Sequence, residues 1–314
     1  MKQISFVIPV YRNKESLRTT HERISTAVGE ELPEICFSFI FVDDGSDDGS
    51  LDELLWIRDN KPNVEVITFS RNFGQVPAMI SGLRSSANTG ASIMLSADLQ
   101  DPVEIIIEMI KYWLSGTEIV IAHRESREDS FSSSLTSKIF YSLIKLSNPL
   151  MPSGGFDFVL VDQKPRKVLC DLNEHNRFIQ GDILWLGFST RFIPYTRLKR
   201  PHGKSQWNLF KKVKYFIDGF LSTSYISIRL MSLLGAITAS AGFLYALLII
   251  YLKLAFNISP EGLAPIMVLL LVIGGIIMLM LGIIGEYIWR IYDETRNRPL
   301  YVIKEHYRST EEKN

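Results

Sequence analysis

Asp98, Gln100 and Asp101 form a cluster of acid and amide side chains that directly follows the apolar run 93–95 and indicates a metal-binding or reactive site. Pro102 comes next. Because proline favours the first position of a helix, the pattern predicts a strand that ends in an oxygen-rich turn. Hard divalent cations prefer oxygen ligands, and Mg²⁺ commonly binds phosphates beside one or two carboxylates. The turn therefore indicates a metal site for a phosphorylated ligand, and the alternative is an acidic loop in which Asp101 caps the next helix.

Two further polar clusters follow apolar runs earlier in the chain. Asp43 and Asp44 come directly after the run 35–42, and Arg71 comes shortly after the run 64–69. Ligands of open parallel sheets bind outside the carboxyl ends of the strands. Three polar clusters at such ends predict one shared ligand site along that edge of a sheet.

The elements that must position these clusters alternate between strand and helix. The predicted strands are 4–10, 35–42, 64–69, 92–96 and 119–122, and the predicted helices between them are 15–28, 50–60, a segment that ends at 83, and 103–114. This alternation favours a doubly wound α/β fold with a mostly parallel sheet. Beyond it, 131–146 is predicted as helix, 148–155 as loop, and 156–160 as an apolar run that contains Asp157.

The C-terminal part of the chain is apolar enough to cross a membrane. The runs 230–252 and 263–285 contain no charged residue, and each is as long as the ~20 residues that span a bilayer. Arg229 precedes the first run and Arg290 follows the second. The positive-inside rule therefore predicts that both flanks lie in the cytosol and the loop 253–262 lies outside. Buried helices of a soluble protein are the alternative.

A basic amphipathic segment precedes the first apolar run. Its aromatic and aliphatic residues recur at helical spacing with lysines between them: Trp207, Phe210, Lys211, Lys212, Lys214, Ile217 and Phe220. This pattern is typical of a helix that lies in a membrane interface. The alternative is a helix that packs on the sheet with its lysines in water.

Composition excludes few classes of function. Lys+Arg and Asp+Glu are both 34, so the net charge is zero. The chain therefore lacks the overall positive charge that would indicate a nucleic-acid partner. Cys36 and Cys170 are the two cysteines and form no CxxC pair, which predicts reduced structural thiols in a cytosolic domain. Residues 1–3 run directly into a strand-like segment, so no signal peptide is predicted.

Four motifs together resemble family two glycosyltransferases: PVY at 9–11, VDDGSDDGS at 42–50, SRNFGQ at 70–75 and ADLQDP at 97–102. Within that family the chain resembles the polyprenyl-phosphate branch, which includes dolichol-phosphate mannose synthases and bacterial bactoprenol-phosphate glucosyltransferases. The segment GEYIWRIYDETRNRPLYVIK at 285–304 is similar to the tail of the bacterial members. The resemblance implies a cytosolic, Rossmann-like GT-A domain at 1–204, an interfacial amphipathic helix at 205–226, two transmembrane helices in 227–289 and a cytosolic tail at 290–314.

The resemblance also implies a donor site for a UDP-sugar. By motif position, Pro9, Tyr11, Asp43 and Asp44 would bind the uracil and ribose, and Arg71 would lie near the donor or the metal. Where the family often has Tyr-Asn-Glu, this chain reads YRNKE from Tyr11 onward, so it departs from the family pattern in the base-binding segment.

The metal implied by the resemblance is Mg²⁺ or Mn²⁺ on the donor diphosphate. Asp98 and Gln100 would be its ligands, which makes Asp98 both a catalytic and a donor-binding residue. The family often has Asp-x-Asp here, whereas this chain has Ser96-Ala97-Asp98. Either a hydroxyl replaces one carboxylate, or the ligand set relies on Asp98, Gln100 and Asp101. A non-catalytic membrane scaffold that retains the fold is an alternative, and the retained Asp98 and Gln100 argue against it.

The implied acceptor is a lipid phosphate. Asp157 matches an acid at the start of an acceptor-side strand, and it would be catalytic by orienting the acceptor or assisting its last deprotonation. The alternative is a structural acid paired with a basic residue. Arg200, Lys204 and Ser205 match a basic loop that would bind phosphate. Many relatives carry an arginine two positions after this acid, where this chain has Val159. Arg177 is therefore a further candidate for binding the phosphate.

These features predict an inverting, membrane-bound hexosyltransferase that moves a sugar from a UDP-sugar to undecaprenyl or another polyprenyl phosphate. Glucose is the first expectation, while galactose, N-acetylhexosamine and an aminoarabinose stay open. The expected place is the cytosolic face of a bacterial inner membrane, in contact with its lipid. The product would serve surface-polysaccharide or lipopolysaccharide modification, including that of O-antigen.

The resemblance further implies a homo-oligomer, namely a tetramer, and a functional partnership with a flippase. A processive polysaccharide synthase of the same fold is the other alternative. Those enzymes carry a Gln-x-x-Arg-Trp motif and more spanning helices. Gln206-Trp207 does not match that motif.

Overall fold

A computed structural model of the chain describes residues 2–124, 149–152, 155–172, 174–175, 177–196, 226–256 and 264–308. The described residues fall into two compact units, one within Met1–Thr223 and Pro299–Asn314 and the other within Ser224–Arg298. The predicted helix at 131–146 lies outside the described residues, as do nearly all of the amphipathic segment 205–226 and most of the loop 253–262.

The first unit is an α/β domain. Its strands are β1 (Gln3–Val10), β2 (Cys36–Asp43), β3 (Val64–Phe69), β4 (Ala91–Met94), β5 (Ile119–Arg124), β6 (Phe158–Asp162), β7 (Thr190–Tyr195) and β8 (Ile303–Tyr307). Its helices are α1 (Leu17–Glu31), α2 (Ser50–Asn60), α3 (Gln75–Ser85), α4 (Val103–Leu114), α5 (Gln163–Asp171) and α6 (Ile179–Trp185), with a 3₁₀ turn at Ser86–Asn88. The strands and helices predicted up to residue 122 are all present, with ends shifted by a few residues.

The eight strands form one sheet in the order β7-β5-β6-β4-β1-β2-β3-β8. Strands β1 to β4 pair in parallel, and β5 and β7 run in the same direction as they do. Two strands are antiparallel: β6, which lies between β4 and β5, and β8, which pairs with β3. The predicted mostly parallel sheet is confirmed, and β8 is a strand that the sequence analysis did not predict.

The central strands are buried on both faces, as expected for a sheet covered by helices. In β1, Phe6 and Ile8 face one apolar layer and Val7 faces the other. Helix α3 packs so closely on β1 that a Cβ on Gly82 would lie 2.4 Å from Val7 Cγ1. Any larger residue at position 82 would push α3, and the loop before it, away from the sheet.

Arg166 on α5 connects that helix to β4. Its guanidinium is buried and donates to Thr89 Oγ1 at 2.9 Å, to Ser92 Oγ at 2.8 Å and to the carbonyl oxygen of Ala87 at 3.0 Å. Burial lowers the pKa of Arg166, and these acceptors offset the loss of water around the guanidinium. Helix α5 thereby holds β4, the strand that leads into the Asp98 turn.

The second unit consists of two long helices, α7 (Ile226–Phe256) and α8 (Ala264–Thr295). Within them Leu233–Phe256 and Val272–Thr295 have mean hydropathies of 2.2 and 2.0, and neither stretch is buried by the rest of the protein. Large apolar side chains such as Leu254 and Met278 are 82% and 69% exposed. Length and composition make both helices candidate membrane spans. The first stretch nearly coincides with the predicted run 230–252, whereas the second stretch overlaps the predicted run 263–285 only from residue 272 onward.

His21 on α1 is a titratable group inside the α/β domain. Its ring is 5% exposed, lies 4.4 Å from the ring of Phe39, and Nδ1 finds no hydrogen-bond partner among the described residues. Burial, with a smaller contribution from Lys61, lowers the pKa of His21 to about 4. The folded protein therefore keeps this imidazole neutral at pH values where an unfolded chain protonates it.

We expect acid to destabilise the domain through His21. Below the usual histidine pKa of about 6.5 the unfolded state binds the proton and the folded state does not, so stability falls as pH decreases toward 4. The loss amounts to roughly 1.4 kcal/mol per pH unit, or about 3 kcal/mol in all. Thermal unfolding of the full chain in detergent at pH 7 and pH 4.5 measures this, with His21→Leu as the comparison. If the melting temperature decreases by the same amount in both proteins between the two pH values, His21 does not cause the acid destabilisation.

Candidate active site

The carboxyl ends of four parallel strands lie side by side in the order β4, β1, β2 and β3. The backbone hydrogen bonds continue past the strand ends, since the N–H of Leu95 donates to Val7 and the N–H of Asp44 donates to Val10. The loops that follow the four strands carry, in the same spatial order, Asp98, Tyr11, Asp44 and Arg71. The structure therefore brings the three predicted polar clusters together on one edge of the sheet.

The loop after β4 is tightly turned around Asp98. Leu99 has a left-handed φ of +59°, and the N–H of Gln100 donates to Asp98 Oδ1 at 3.2 Å. The hydroxyl of Ser16, just before α1, donates to the carbonyl oxygen of Ala97 at 2.5 Å. Asp98 and Gln100 are thus presented by one short turn whose backbone is held by α1.

Asp101 has a structural role that differs from helix capping. Its Oδ1 accepts from the hydroxyl of Tyr195 at 2.8 Å and its Oδ2 accepts from the N–H of Ser96 at 3.4 Å. The residue at the N-cap of α4 is Pro102, which makes no side-chain cap. Burial and the neighbouring Asp101 carboxylate raise the pKa of Tyr195, so this tyrosine stays a hydrogen-bond donor. The capping alternative is therefore wrong, and Asp101 joins the loop after β4 to β7.

The oxygen atoms in this turn fit a hard divalent cation. Among the described residues no group of three or more His, Cys, Asp or Glu side chains is placed to hold a metal ion. A cation bound here would therefore combine Asp98 and Gln100 with oxygen atoms of its ligand, as Mg²⁺ does when it binds phosphates.

The predicted base-binding residues lie at the next two strand ends. Pro9 is the penultimate residue of β1 and Tyr11 follows it, and Val10 pairs with Asp43 at the end of β2. Asp43 is 2% exposed, and burial raises the pKa of its carboxyl even though the N–H of Ser46 donates to it. Pro9, Tyr11 and Asp43 are neighbours, and their contact with a nucleotide stays a prediction.

The departure from the family pattern at Arg12 has a clear structural consequence. Arg12 takes a left-handed φ of +57°, and its Nε and Nη2 each donate to the carboxylate of Asp47 at 2.7 Å. Its guanidinium also lies 5.3 Å from the ring centroid of Tyr11. This exposed pair ties the loop after β1 to the loop after β2.

Asp44 binds the protein's own backbone. Its two carboxylate oxygens accept from the N–H of Phe73 at 2.6 Å and from the N–H of Gly74 at 2.8 Å. Gly45 has a φ of +69°, and a Cβ there would lie 2.8 Å from the carbonyl carbon of Arg71. The loop that carries Arg71 is therefore locked against the loop after β2, while the Arg71 side chain itself is exposed and lies over the ring of Phe73 at 4.6 Å.

Asp157 is held by two residues that sequence reasoning missed. Arg124 Nη2 donates to Asp157 Oδ2 at 3.2 Å, and Gln180 Nε2 donates to Asp157 Oδ1 at 3.3 Å. Burial alone would lower the pKa of Arg124, but Asp157, Tyr195 and Asp101 together raise it. A signal for Arg124 existed, because it is the polar residue at the carboxyl end of β5. Gln180 lies on α6 and gave no such signal.

The predicted phosphate-binding residues divide between described and undescribed parts of the chain. Arg177 is buried, and its Nε donates to Asp182 at 2.9 Å while its Nη1 donates to the carbonyl oxygen of Leu172. This ion pair accounts for its charge in the present arrangement. Arg200, Lys204 and Ser205 lie outside the described residues, so their role and that of Arg177 stay predictions.

Comparison with known proteins gives the family. Residues 5–166 match the sequence model of the family "Glycosyl transferase family 2". These residues contain the strand ends and loops described above as far as Asp157. The chain belongs to glycosyl transferase family 2. It is therefore a glycosyltransferase with a GT-A fold, and the resemblance seen in its motifs is confirmed.

Relatives within family 2 match almost the whole chain. An uncharacterized glycosyltransferase of Bacillus subtilis, YkcC, is 36% identical over 97% of this chain and 94% of its own. The bactoprenol glucosyl transferase of Shigella phage SfII is 33% identical over 98% and 99%. Among solved structures, the mannosyltransferase PcManGT of Pyrobaculum calidifontis, in complex with GDP-Man and Mn²⁺, shares the fold with a TM-score of 0.50 and 14% identity, over 72% of this chain and 64% of its own.

We expect Asp44 to be essential for the stability of this family 2 domain. Asp44→Ala leaves the N–H groups of Phe73 and Gly74 without their acceptor, and we expect it to lower the free energy of unfolding by about 2 kcal/mol. Thermal unfolding in detergent measures the effect. Asp47→Ala, which removes the exposed partner of Arg12 from the same loop, is the matched control. Equal melting temperatures for the two variants would show that the Asp44 bonds contribute nothing special.

Proposed function

We propose that the protein is an inverting glycosyltransferase that moves a hexose from a UDP-sugar to a polyprenyl phosphate at a membrane surface. Glucose is the hexose that we propose first. The observation that carries this proposal is that Asp157 and Asp98 belong to the same edge of the sheet, because Asp157 directly precedes β6 and Asp98 follows β4, its antiparallel neighbour. Met94 pairs with Val159, so the start of β6 meets the end of β4. Arg124 donates to Asp157 at 3.2 Å, and the Asp101 carboxylate also helps to raise the pKa of that guanidinium. A metal-binding turn and a separate carboxylate on one edge suit a reaction between a nucleotide-sugar and a second substrate.

The donor side is supported by the oxygen ligands and by a neighbour of the same fold. Asp98 and Gln100 would hold Mg²⁺ or Mn²⁺, and PcManGT, which shares the fold, was solved with GDP-Man and Mn²⁺. When bound, the cation supplies positive charge that stabilises the departing diphosphate. The chain itself contributes the turn that presents both ligands and, on the neighbouring loop, the exposed guanidinium of Arg71.

The acceptor side is supported by the chemistry around Asp157. A phosphate monoester has a second pKa of about 6 and is largely ionised at pH 7, so it attacks without a strong general base. Asp157, which accepts hydrogen bonds from Arg124 and Gln180, would align the acceptor or take its last proton. Direct attack of the phosphate oxygen on the anomeric carbon inverts its configuration.

The lipid acceptor is supported by the two apolar helices and by the full-length relatives. The bactoprenol glucosyl transferase of phage SfII is named for a polyprenyl acceptor and for glucose. Helices α7 and α8 would cross the membrane as a hairpin with both flanks in the cytosol, which is the arrangement that the flanking Arg and Lys residues favour. The active edge would then work on the cytosolic face of a bacterial inner membrane.

Transfer should require a divalent cation through Asp98. We expect a chelator to abolish activity of the full chain in nanodiscs and Mn²⁺ or Mg²⁺ to restore it. Asp98→Ala should lower the rate about 100-fold or more, because the charge of the leaving diphosphate is no longer stabilised. Glu104→Ala, an exposed acid at the start of α4, is the control and should keep the wild-type rate. Full activity in excess chelator would rule out the metal site.

The proposed function itself is tested by transfer from a panel of labelled UDP-sugars into lipid that is extracted with organic solvent. With polyprenyl phosphate as acceptor, we expect UDP-glucose to give the most labelled lipid, with inverted anomeric configuration by NMR. Asp157→Asn should bind UDP normally yet label little lipid. Nucleotide binding without transfer from any donor would contradict the proposal and favour a non-catalytic scaffold.

A further inference from the structure

The loop 70–74 that carries Arg71 is held from a second side by the C-terminal segment 299–307, which includes β8. The N–H of Ser70 donates to the carbonyl oxygen of Val302 at 3.0 Å. The ring of Tyr301 stacks on the ring of Phe69, the last residue of β3, with centroids 4.9 Å apart and planes at 11°. Residues more than 200 positions away in the sequence therefore contact the start of this loop and the strand that precedes it.

A continuous series of ring contacts leads from that segment to Arg71. Tyr301 stacks on Phe69, Phe69 meets Phe73 edge to face at 5.7 Å, and the guanidinium of Arg71 lies over Phe73 at 4.6 Å. The Tyr301 hydroxyl also accepts from Arg84 on α3 at 3.4 Å. Because Asp44 holds the same loop from its opposite side, Tyr301 and Asp44 together leave the loop little freedom.

The other end of β8 makes contacts that do not reach this loop. Tyr307 pairs with Val66 in the middle of β3 and lies under the guanidinium of Arg58, and His306 Nε2 lies 2.6 Å from the carboxylate of Glu65. Both tyrosines of the segment are partly buried. The segment therefore offers one aromatic residue that contacts the loop and a matched one that does not.

The position of this segment in the chain gives it a further property. Helix α8, the second candidate membrane span, ends at Thr295, and the segment joins the α/β domain from Pro299 onward. Only a few residues separate the end of α8 from Tyr301. The support of the loop therefore lies close in the chain to a candidate membrane span.

We propose that Tyr301 and Val302 are positioning residues for the donor site, because they support the loop that carries Arg71. The part of this proposal that concerns the donor rests on the proposed function. The support of the loop by Tyr301 does not. Loss of the Tyr301 ring should loosen residues 70–74, weaken binding of the UDP-sugar and leave use of the lipid acceptor unchanged.

The test compares Tyr301→Ala, Tyr301→Phe and Tyr307→Ala in the full chain in nanodiscs. Hydrogen–deuterium exchange of the peptide that covers 70–75 reports on the loop, and initial rates give KM for UDP-glucose and for polyprenyl phosphate. We expect Tyr301→Ala to speed exchange and raise the donor KM about fivefold, the factor that one lost aromatic pair corresponds to. Tyr301→Phe, which keeps the stack, and Tyr307→Ala should resemble the wild type in both measurements.

Three results would overturn the proposal. Wild-type exchange in Tyr301→Ala would show that the ring does not support the loop. Equal changes in Tyr301→Ala and Tyr307→Ala would show that β8 contributes only general stability. Faster exchange with an unchanged donor KM would remove the loop from the donor site. If the wild-type protein transfers no sugar, the proposed function fails, whereas the exchange comparison still decides whether Tyr301 positions the loop. Tyr301→Leu replaces Tyr301→Ala in every comparison if the alanine variant does not fold.

Discussion

Main-chain pairing between β4 and β6 is the interaction on which the site depends, because it sets two distant parts of the chain side by side. Met94 pairs with Val159 in an antiparallel register, so Asp157, just before β6, comes to the edge where the Asp98 turn leaves β4. Strand β5 pairs with the other side of β6 and delivers Arg124 to the same edge. A shift of one residue would turn every side chain of β6 to the opposite face of the sheet.

The acids along this edge differ in what contacts them, although they look alike in the sequence. Asp44 and Asp101 each accept two hydrogen bonds from the protein itself, and each joins a loop to a neighbouring element. A buried carboxylate without donors is costly, so acids that bind the backbone in this way serve as structural anchors. Among the bonds described above, Asp98 accepts from the N–H of Gln100 within its own turn, and Asp157 accepts from the side chains of Arg124 and Gln180. The anchoring acids keep rigid the loops on which the others are presented.

The C-terminal strand solves a general problem of open sheets while it serves the site. An uncovered edge at β3 would expose unpaired backbone groups, and β8 pairs with them. Its own side chains are mostly exposed, so its stability comes from the main-chain ladder, from Tyr301 just before the strand and from Tyr307 at its end. The same short segment follows the second apolar helix, so the edge of the catalytic sheet and the candidate membrane anchor are consecutive in the chain.

Local patterns in the sequence by themselves determined the alternating strands and helices, the two long apolar helices and the polar clusters at strand ends, since each depends on residues near one another in the chain. Asp98 and Gln100 are candidate site residues on this local basis, and they lie in the turn after β4 as predicted. Strand β8 is short and exposed, and only the free edge of β3 makes it a strand. The partners of Asp157 and the anchoring role of Asp101 depend on tertiary structure. Backbone pairing of β5 with β6 and β7 brings Arg124 to Asp157 and aligns β7, which carries Tyr195, whereas apolar packing of α6 on β6 brings Gln180.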